Sequence, residues 1–207
     1  SSAASDVYKR QRAGFRLARD CSWSLVGVEP DLSTWGKAIA NGHAISALLG
    51  AEKARGAAAF VYVTGSYWFS AAPMAAALET FRLIRETDYL EKTQTLGRRL
   101  RAGLDEAAAR RGFALRQTGP EELPLIMFED DADMAKGYFW TDALIRRGVY
   151  FHPWHNMFFS AAMTEEDIDF TLEAADESFK LLKAAGPLEP VGKLQMAHQA
   201  LQMLQPL

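Results

Sequence analysis

Leu96, Leu100, Leu104 and Ala107 recur at intervals of four and three, which puts them on one face of a helix ending near Gly112. The same spacing runs unbroken through Ile168, Leu172, Ala175, Phe179 and Leu182. Thr164-Glu165-Glu166-Asp167 precedes that run and predicts a capping box at its start. From Pro73, Met74, Leu78 and Phe81, with Ala77 and Ile84 beside them, predict a further helix whose stripe is core packing. Ala51 to Ala59 is alanine-rich with Glu52, Lys53 and Arg55 interspersed, which suits a short exposed helix.

Other stretches read as strands. Ala44 to Gly50 is a short apolar run bounded by glycine and predicts a buried strand. Phe113 to Arg116 and Leu125 to Phe128 predict two more, separated by the turn-rich Gly119-Pro120-Glu121-Glu122. The acidic run Glu129 to Asp133 opens a helix through about Arg147, with Gly148 as its C-cap, and Val149-Tyr150-Phe151 returns as a strand. This second half is an α+β pattern. The break near Thr87-Asp88 marks the domain boundary.

Composition narrows the function classes. The 207 residues are 49% hydrophobic, enough for a real core, and the net charge of -3 with a pI near 5.8 leaves no basic footprint for nucleic acid. Arg98, Arg99 and Arg101, with Arg110 and Arg111, read as one solvated helix face. Cys21 is the single cysteine, so no internal disulfide forms and a reducing cytoplasm is expected. No apolar stretch approaches the roughly 20 residues of a membrane span, and no secretory leader is recognisable. His152 and His155 lack a third ligand nearby, so no metal site is expected, and they read as pocket wall or packed surface. Trp35, Trp68 and Trp154 read as core and pocket lining, and no Gly-rich nucleotide loop occurs.

The candidate chemistry lies in Pro30-Asp31-Leu32-Ser33-Thr34-Trp35-Gly36-Lys37-Ala38-Ile39-Ala40-Asn41-Gly42. A lysine sits there among small and apolar residues with glycine on both sides. Its amine does covalent work on carbonyl compounds when partly deprotonated. Gly36 and Gly42 are expected to let backbone and a bulky cofactor approach closely. By spacing alone, a solvated turn lysine fits equally.

This run, continued by Ile45-Ser46-Ala47-Leu48-Leu49-Gly50, resembles the Schiff-base lysine region of class III aminotransferases and leans toward their glutamate-1-semialdehyde aminomutase-like branch. The resemblance covers residues 12 to about 185. It implies the α/β, aspartate-aminotransferase-like fold of the pyridoxal 5'-phosphate (PLP) enzymes, fold type I, truncated to its C-terminal half, with an α+β C-terminal small domain. Lys37 falls on the lysine that binds PLP and carries the proton between substrate and cofactor. Ser66, helped by Thr64 and Gly65, stands where the family serves the phosphate of a neighbouring subunit; an ordinary N-cap is the other reading of that segment. The implied partners are a small-molecule amino donor and a keto or aldehyde acceptor, and the implied assembly is a homodimer, with neither nucleic acid nor membrane involved. A 2,1-aminomutase, or a folded remnant without activity, are the alternatives.

Some positions depart from the family. Arg12-Ala13-Gly14-Phe15-Arg16 is similar to the segment after its Asp-Glu-Val, which puts Lys9 where an aspartate meets the ring nitrogen. Met163 replaces the usual histidine after Phe159-Ser160-Ala161-Ala162, and the arginine that some relatives use for a carboxylate is missing. The expected organisation is a foreign-looking segment over 1–11, the C-terminal part of the PLP-binding large domain over 12–88, the small domain with its connecting helix over 89–186, and a tail over 187–207.

Overall fold

The computed structural model describes residues 14–62 and 65–188. The chain divides between Leu90 and Glu91 into two compact units. The segments expected over 1–11 and, beyond Leu188, in the tail lie outside the described residues, as does Lys9.

In the first unit, β1 (Leu32–Trp35) pairs antiparallel with β2 (Ala47–Gly50), Leu32 opposite Gly50 and Trp35 opposite Ala47. A 3-10 turn over Lys37–Ile39 follows β1 directly, and a second 3-10 stretch, Glu52–Phe60, follows β2. Gly56 sits inside that second stretch, where its backbone entropy works against a regular α-helix. Helix α1 (Ala71–Glu86) ends the unit. Its core is Ile39, Ala40 and Ala77, packed by Phe15, Trp35, Ile45, Ala47 and Phe81.

Two expectations fail here. The run expected as a buried strand is instead exposed at Leu48 and Leu49, which point to opposite faces of a sheet that has two strands among the described residues. The α1 stripe is also misplaced. Met74 and Leu78 are exposed, and the buried face is Ala77, Thr80 and Ile84. Both stripes have helical spacing, and the small Ala77 is the one that lets the helix approach the Lys37–Ala40 turn closely.

The second unit holds α2 (Tyr89–Arg111) from Glu91 onward and the antiparallel pair β3 (Leu115–Thr118) and β4 (Leu125–Phe128), Leu115 opposite Phe128. Helices α3 (Ala135–Ile145) and α4 (Glu165–Ala185) complete it. Leu96, Leu100, Leu104 and Ala107 from α2 meet Ile126 and Phe128, Trp140 and Leu144, and Ile168, Ala175, Phe179 and Leu182 in one core. The capping box is present: Thr164 Oγ1 accepts from the Asp167 amide at 3.3 Å, and Asp167 Oδ2 accepts from the Thr164 amide at 2.8 Å.

The acidic run caps α3 rather than forming its first turn. Asp131 accepts from the amides of Lys136 at 2.9 Å and Gly137 at 2.7 Å, satisfying two donors at the helix start. Val149-Tyr150-Phe151 is not a strand. Its side chains alternate, Val149 and Phe151 buried and Tyr150 exposed, but the Val149 amide returns to the Leu144 carbonyl at 3.1 Å. The segment that does bond beside β4 comes later, Met157 N–H to Pro124 O at 2.8 Å and Phe159 N–H to Glu122 O at 3.2 Å.

The α2 arginines do not form one solvated face. Arg99 pairs with Glu165 and Asp169, Arg101 donates to the Gly119 carbonyl, and Arg110 and Arg111 share Asp176, so they tie α2 to α4 and to the β3–β4 loop. Among the described residues no helix is long and apolar enough to cross a membrane.

Candidate functional site

Lys37 is exposed and leaves the end of β1 on a turn that goes on through a half-buried Ala38 to the buried Ile39 and Ala40. The turn closes with Ile39 N–H to Gly36 O at 3.3 Å, Ala40 N–H to Lys37 O at 3.5 Å and His43 N–H to Ala40 O at 3.2 Å. Ile39 and Ala40 insert against Ala77, which fixes the floor of the turn and leaves the lysine stem outward. Trp35, one residue before Gly36, is met edge-on by Trp23 at 5.4 Å and by a tilted Phe15 ring at 4.8 Å between ring centroids. A β-carbon at Gly14 would stand 2.9 Å from the Trp35 ring, so that glycine is a matter of space.

The two glycines beside the lysine differ in backbone. Gly36 has φ -173°, an extended conformation open to any residue. Gly42 has φ +105° with open space around its α-carbon, so the turn requires it for its backbone angle. Lys37 itself has φ +53° and Asn41 φ +42°. A lysine in the left-handed region carries a backbone cost of roughly 1–2 kcal/mol that the surrounding packing must hold.

Sequence reasoning missed what holds this turn from the other side. Asn41 Nδ2 donates to Thr80 Oγ1 at 3.2 Å, and Thr80 Oγ1 donates to the Ala76 carbonyl at 2.9 Å. Asn41-Gly42 is a turn signal that pointed to the left-handed asparagine. Nothing in the spacing singled out Thr80 as its acceptor.

Gly65 and Ser66 lie in the same unit, on the exposed segment before α1, while Thr64 is outside the described residues. A β-carbon at Gly65 would collide with the Trp68 indole at 1.9 Å from Nε1, so the tight approach here is made by an indole. Ser66 does not cap α1; Ser70 takes the N-cap position, without a side-chain bond. The Ser66 side chain is exposed and makes no hydrogen bond to another described residue, so it is not joined to Lys37.

In the second unit His152 and His155 lie 5.8 Å apart between ring centroids, with Trp154 edge-on to His152 at 4.3 Å. Trp154 Nε1 donates to Tyr138 Oη at 2.8 Å, and His155 Nδ1 is 2.7 Å from the Asn156 carbonyl. All are half-buried, and no cluster of metal-ligating side chains occurs among the described residues.

Comparison with known proteins is consistent across sequence and structure. The model of the family described as "Aminotransferase class-III" matches residues 12–178. The aminopentol aminotransferase of Sphingopyxis macrogoltabida is 57% identical over 180 residues, covering 86% of this chain and 43% of that protein. A glutamate-1-semialdehyde 2,1-aminomutase of Desulforudis audaxviator is 32% identical over 189 residues, covering 84% and 44%. The structure of the FumI protein of Sphingopyxis sp. MTA144 in its PLP internal aldimine form superposes with a TM-score of 0.84 at 57% identity, over 87% of this chain and 44% of that one. The chain thus spans less than half the length of the proteins it matches.

Proposed function

This chain belongs to the class-III aminotransferase family and has the PLP-dependent fold type I over less than half its relatives' length, and from that premise we propose that the protein transfers an amino group between a small-molecule amino donor and a keto or aldehyde acceptor, with PLP as cofactor. The observation that carries the reading is the Lys37 turn: an exposed amine on a left-handed backbone, above a buried Ile39-Ala40 floor.

The residues present fit PLP at two points. Lys37 offers a primary amine for the aldehyde carbon, and the exposed Ser66 hydroxyl with the Gly65 segment offers donors for a phosphate, which we assign to the partner subunit of a homodimer. Thr64 belongs to the same phosphate group by family register. When bound, the cofactor supplies an electron sink for charge at the substrate carbon beside the amine. Lys37 would hold the cofactor through its amine and, once displaced by the incoming amine, would act as the base that takes a proton from the substrate carbon and then as the acid that returns it.

We assign 12–88 to the cofactor-binding large domain and 89–186 to the small domain, in a cytoplasmic enzyme. Phe60, Tyr62, Tyr67 and Phe69, each close to nine-tenths exposed, support a subunit contact near Ser66. The 2,1-aminomutase reading rests on the 32% identical relative named above; the transaminase reading rests on the 57% identical one. The chain by itself is expected to turn over little or no substrate.

Mixing the folded chain with PLP and following imine absorbance tests the reading. Borohydride trapping and peptide mapping should place the label selectively on Lys37, and label spread evenly over the surface lysines overturns the assignment.

A further inference from the structure

The Lys37 turn touches α1 in two ways, and one of them is polar. Thr80 is buried on α1, and its hydroxyl spends its single proton on the Ala76 carbonyl one turn back, at 2.9 Å. That fixes the direction of its lone pairs. One of them receives the Asn41 carboxamide at 3.2 Å. Asn41 is four residues beyond Lys37, and between them the turn holds Ile39 and Ala40 in the core.

We propose that Asn41 and Thr80 are positioning residues that lock the turn and so fix the direction of the Lys37 amine. The apolar contact alone leaves the turn free to relax. Both Lys37 and Asn41 occupy the left-handed region, which an asparagine tolerates and where a lysine tends to revert to an ordinary conformation unless something holds it. The Ile39-Ala40-Ala77 packing resists lifting of the turn but constrains rotation about its axis weakly, since three small or aliphatic contacts have no direction. The Asn41–Thr80 bond is directional and closes the turn at its far end. This assignment rests on Lys37 being the reactive amine.

The pair is tested in the whole chain with Thr80→Val, which keeps the shape and removes the hydroxyl, and Thr80→Ser, which restores it. Two readouts are compared: hydrogen exchange at the Ile39 and Ala40 amides, and borohydride-trapped PLP at Lys37 relative to Lys183. Thr80→Val is expected to speed exchange at both amides and lower the Lys37 to Lys183 labelling ratio by about fivefold, the worth of one ordinary hydrogen bond. Thr80→Ser is expected to match the unsubstituted chain in both. Exchange left unchanged by Thr80→Val overturns the lock, and faster exchange with an unchanged labelling ratio overturns its bearing on Lys37. A ratio near one in the unsubstituted chain overturns the reactive-amine reading, and the exchange data then accept or reject the lock by themselves.

Discussion

Trp140 on α3 and Phe179 on α4 lie face to face, ring centroids 4.8 Å apart and planes 19° from parallel. Phe179 is fully buried and also meets Phe113 and Phe128, so four aromatic rings converge where α3, α4 and the β3–β4 pair join. Phe179→Ala should lower the unfolding free energy of the second unit by about 3–5 kcal/mol, since it removes a large side chain and leaves a cavity the neighbours cannot fill. Urea titration followed by tryptophan emission measures it, and a loss under 1 kcal/mol, on the order of a surface change, would contradict this packing.

Gly97 gives a case in which helix propensity and space oppose each other. Alanine in the middle of α2 gains about 1 kcal/mol of propensity over glycine. A β-carbon there, however, would stand 2.2 Å from the Glu121 carbonyl oxygen. That loop is held by Arg101 on Gly119 and by Phe159 on Glu122, so it has little room to give. Gly97→Ala should therefore destabilise by about 2 kcal/mol net, as overpacking against backbone does. Thermal unfolding of the substituted chain decides the sign.

Asp176 makes acid stability predictable. Hydrogen bonding from Arg111, then the Arg111 charge, and lesser help from Arg110 hold its carboxyl below the ordinary value of 3.8, against the opposing effect of burial. A carboxylate depressed in the folded state contributes stability that is complete above its unfolded value and is lost as pH falls through the folded one. Asp176→Asn should thus cost about 1 kcal/mol at neutral pH and nothing well below pH 3. Unfolding curves from pH 2 to 7 check it, and parallel curves for the two proteins at every pH would refute it.

Lys37 separates function from stability. On the function proposed above, Lys37→Ala in a chain of its relatives' full length should abolish turnover, since the same amine would both hold the cofactor and move the proton; loss of an acid-base role alone costs about 10²- to 10⁴-fold. In this chain, Lys37→Gly should be more stable than Lys37→Ala by about 1 kcal/mol, since glycine adopts a φ of +53° without strain. Equal stabilities would mean that the left-handed angle costs nothing here.

The second unit was the more legible half. Its helices bury the residues that recur at four and three, because each packs one broad face on one core, and the capping box follows from local chemistry alone. The first unit misled in proportion to its small core. With Ile39, Ala40 and Ala77 as its buried cluster, the apolar run Leu48-Leu49 stays exposed, and α1 turns Ala77 inward rather than the larger Leu78. Val149 to Phe151 has the alternation of a strand, yet pairing depends on which backbone lies alongside, and that is not written in the segment. At the candidate site, Lys37 is singled out by resemblance. Asn41 and Thr80 are not, since their bond spans 39 positions and neither residue type is unusual in its own element.

The two-strand ladder of β1 and β2 has a consequence for handling the chain. A ladder of two leaves each strand an outer edge of amides and carbonyls, and among the described residues no third strand covers either edge. Beside one edge stand Leu48 and Leu49, with more than half their surface in water. Backbone edges accept any strand of matching length without reading its side chains. Residues 47–50 are thus a template for cross-β deposition, and concentrated solutions should lose protein first through this ribbon, although the Lys53–Asp31 ion pair flanks it.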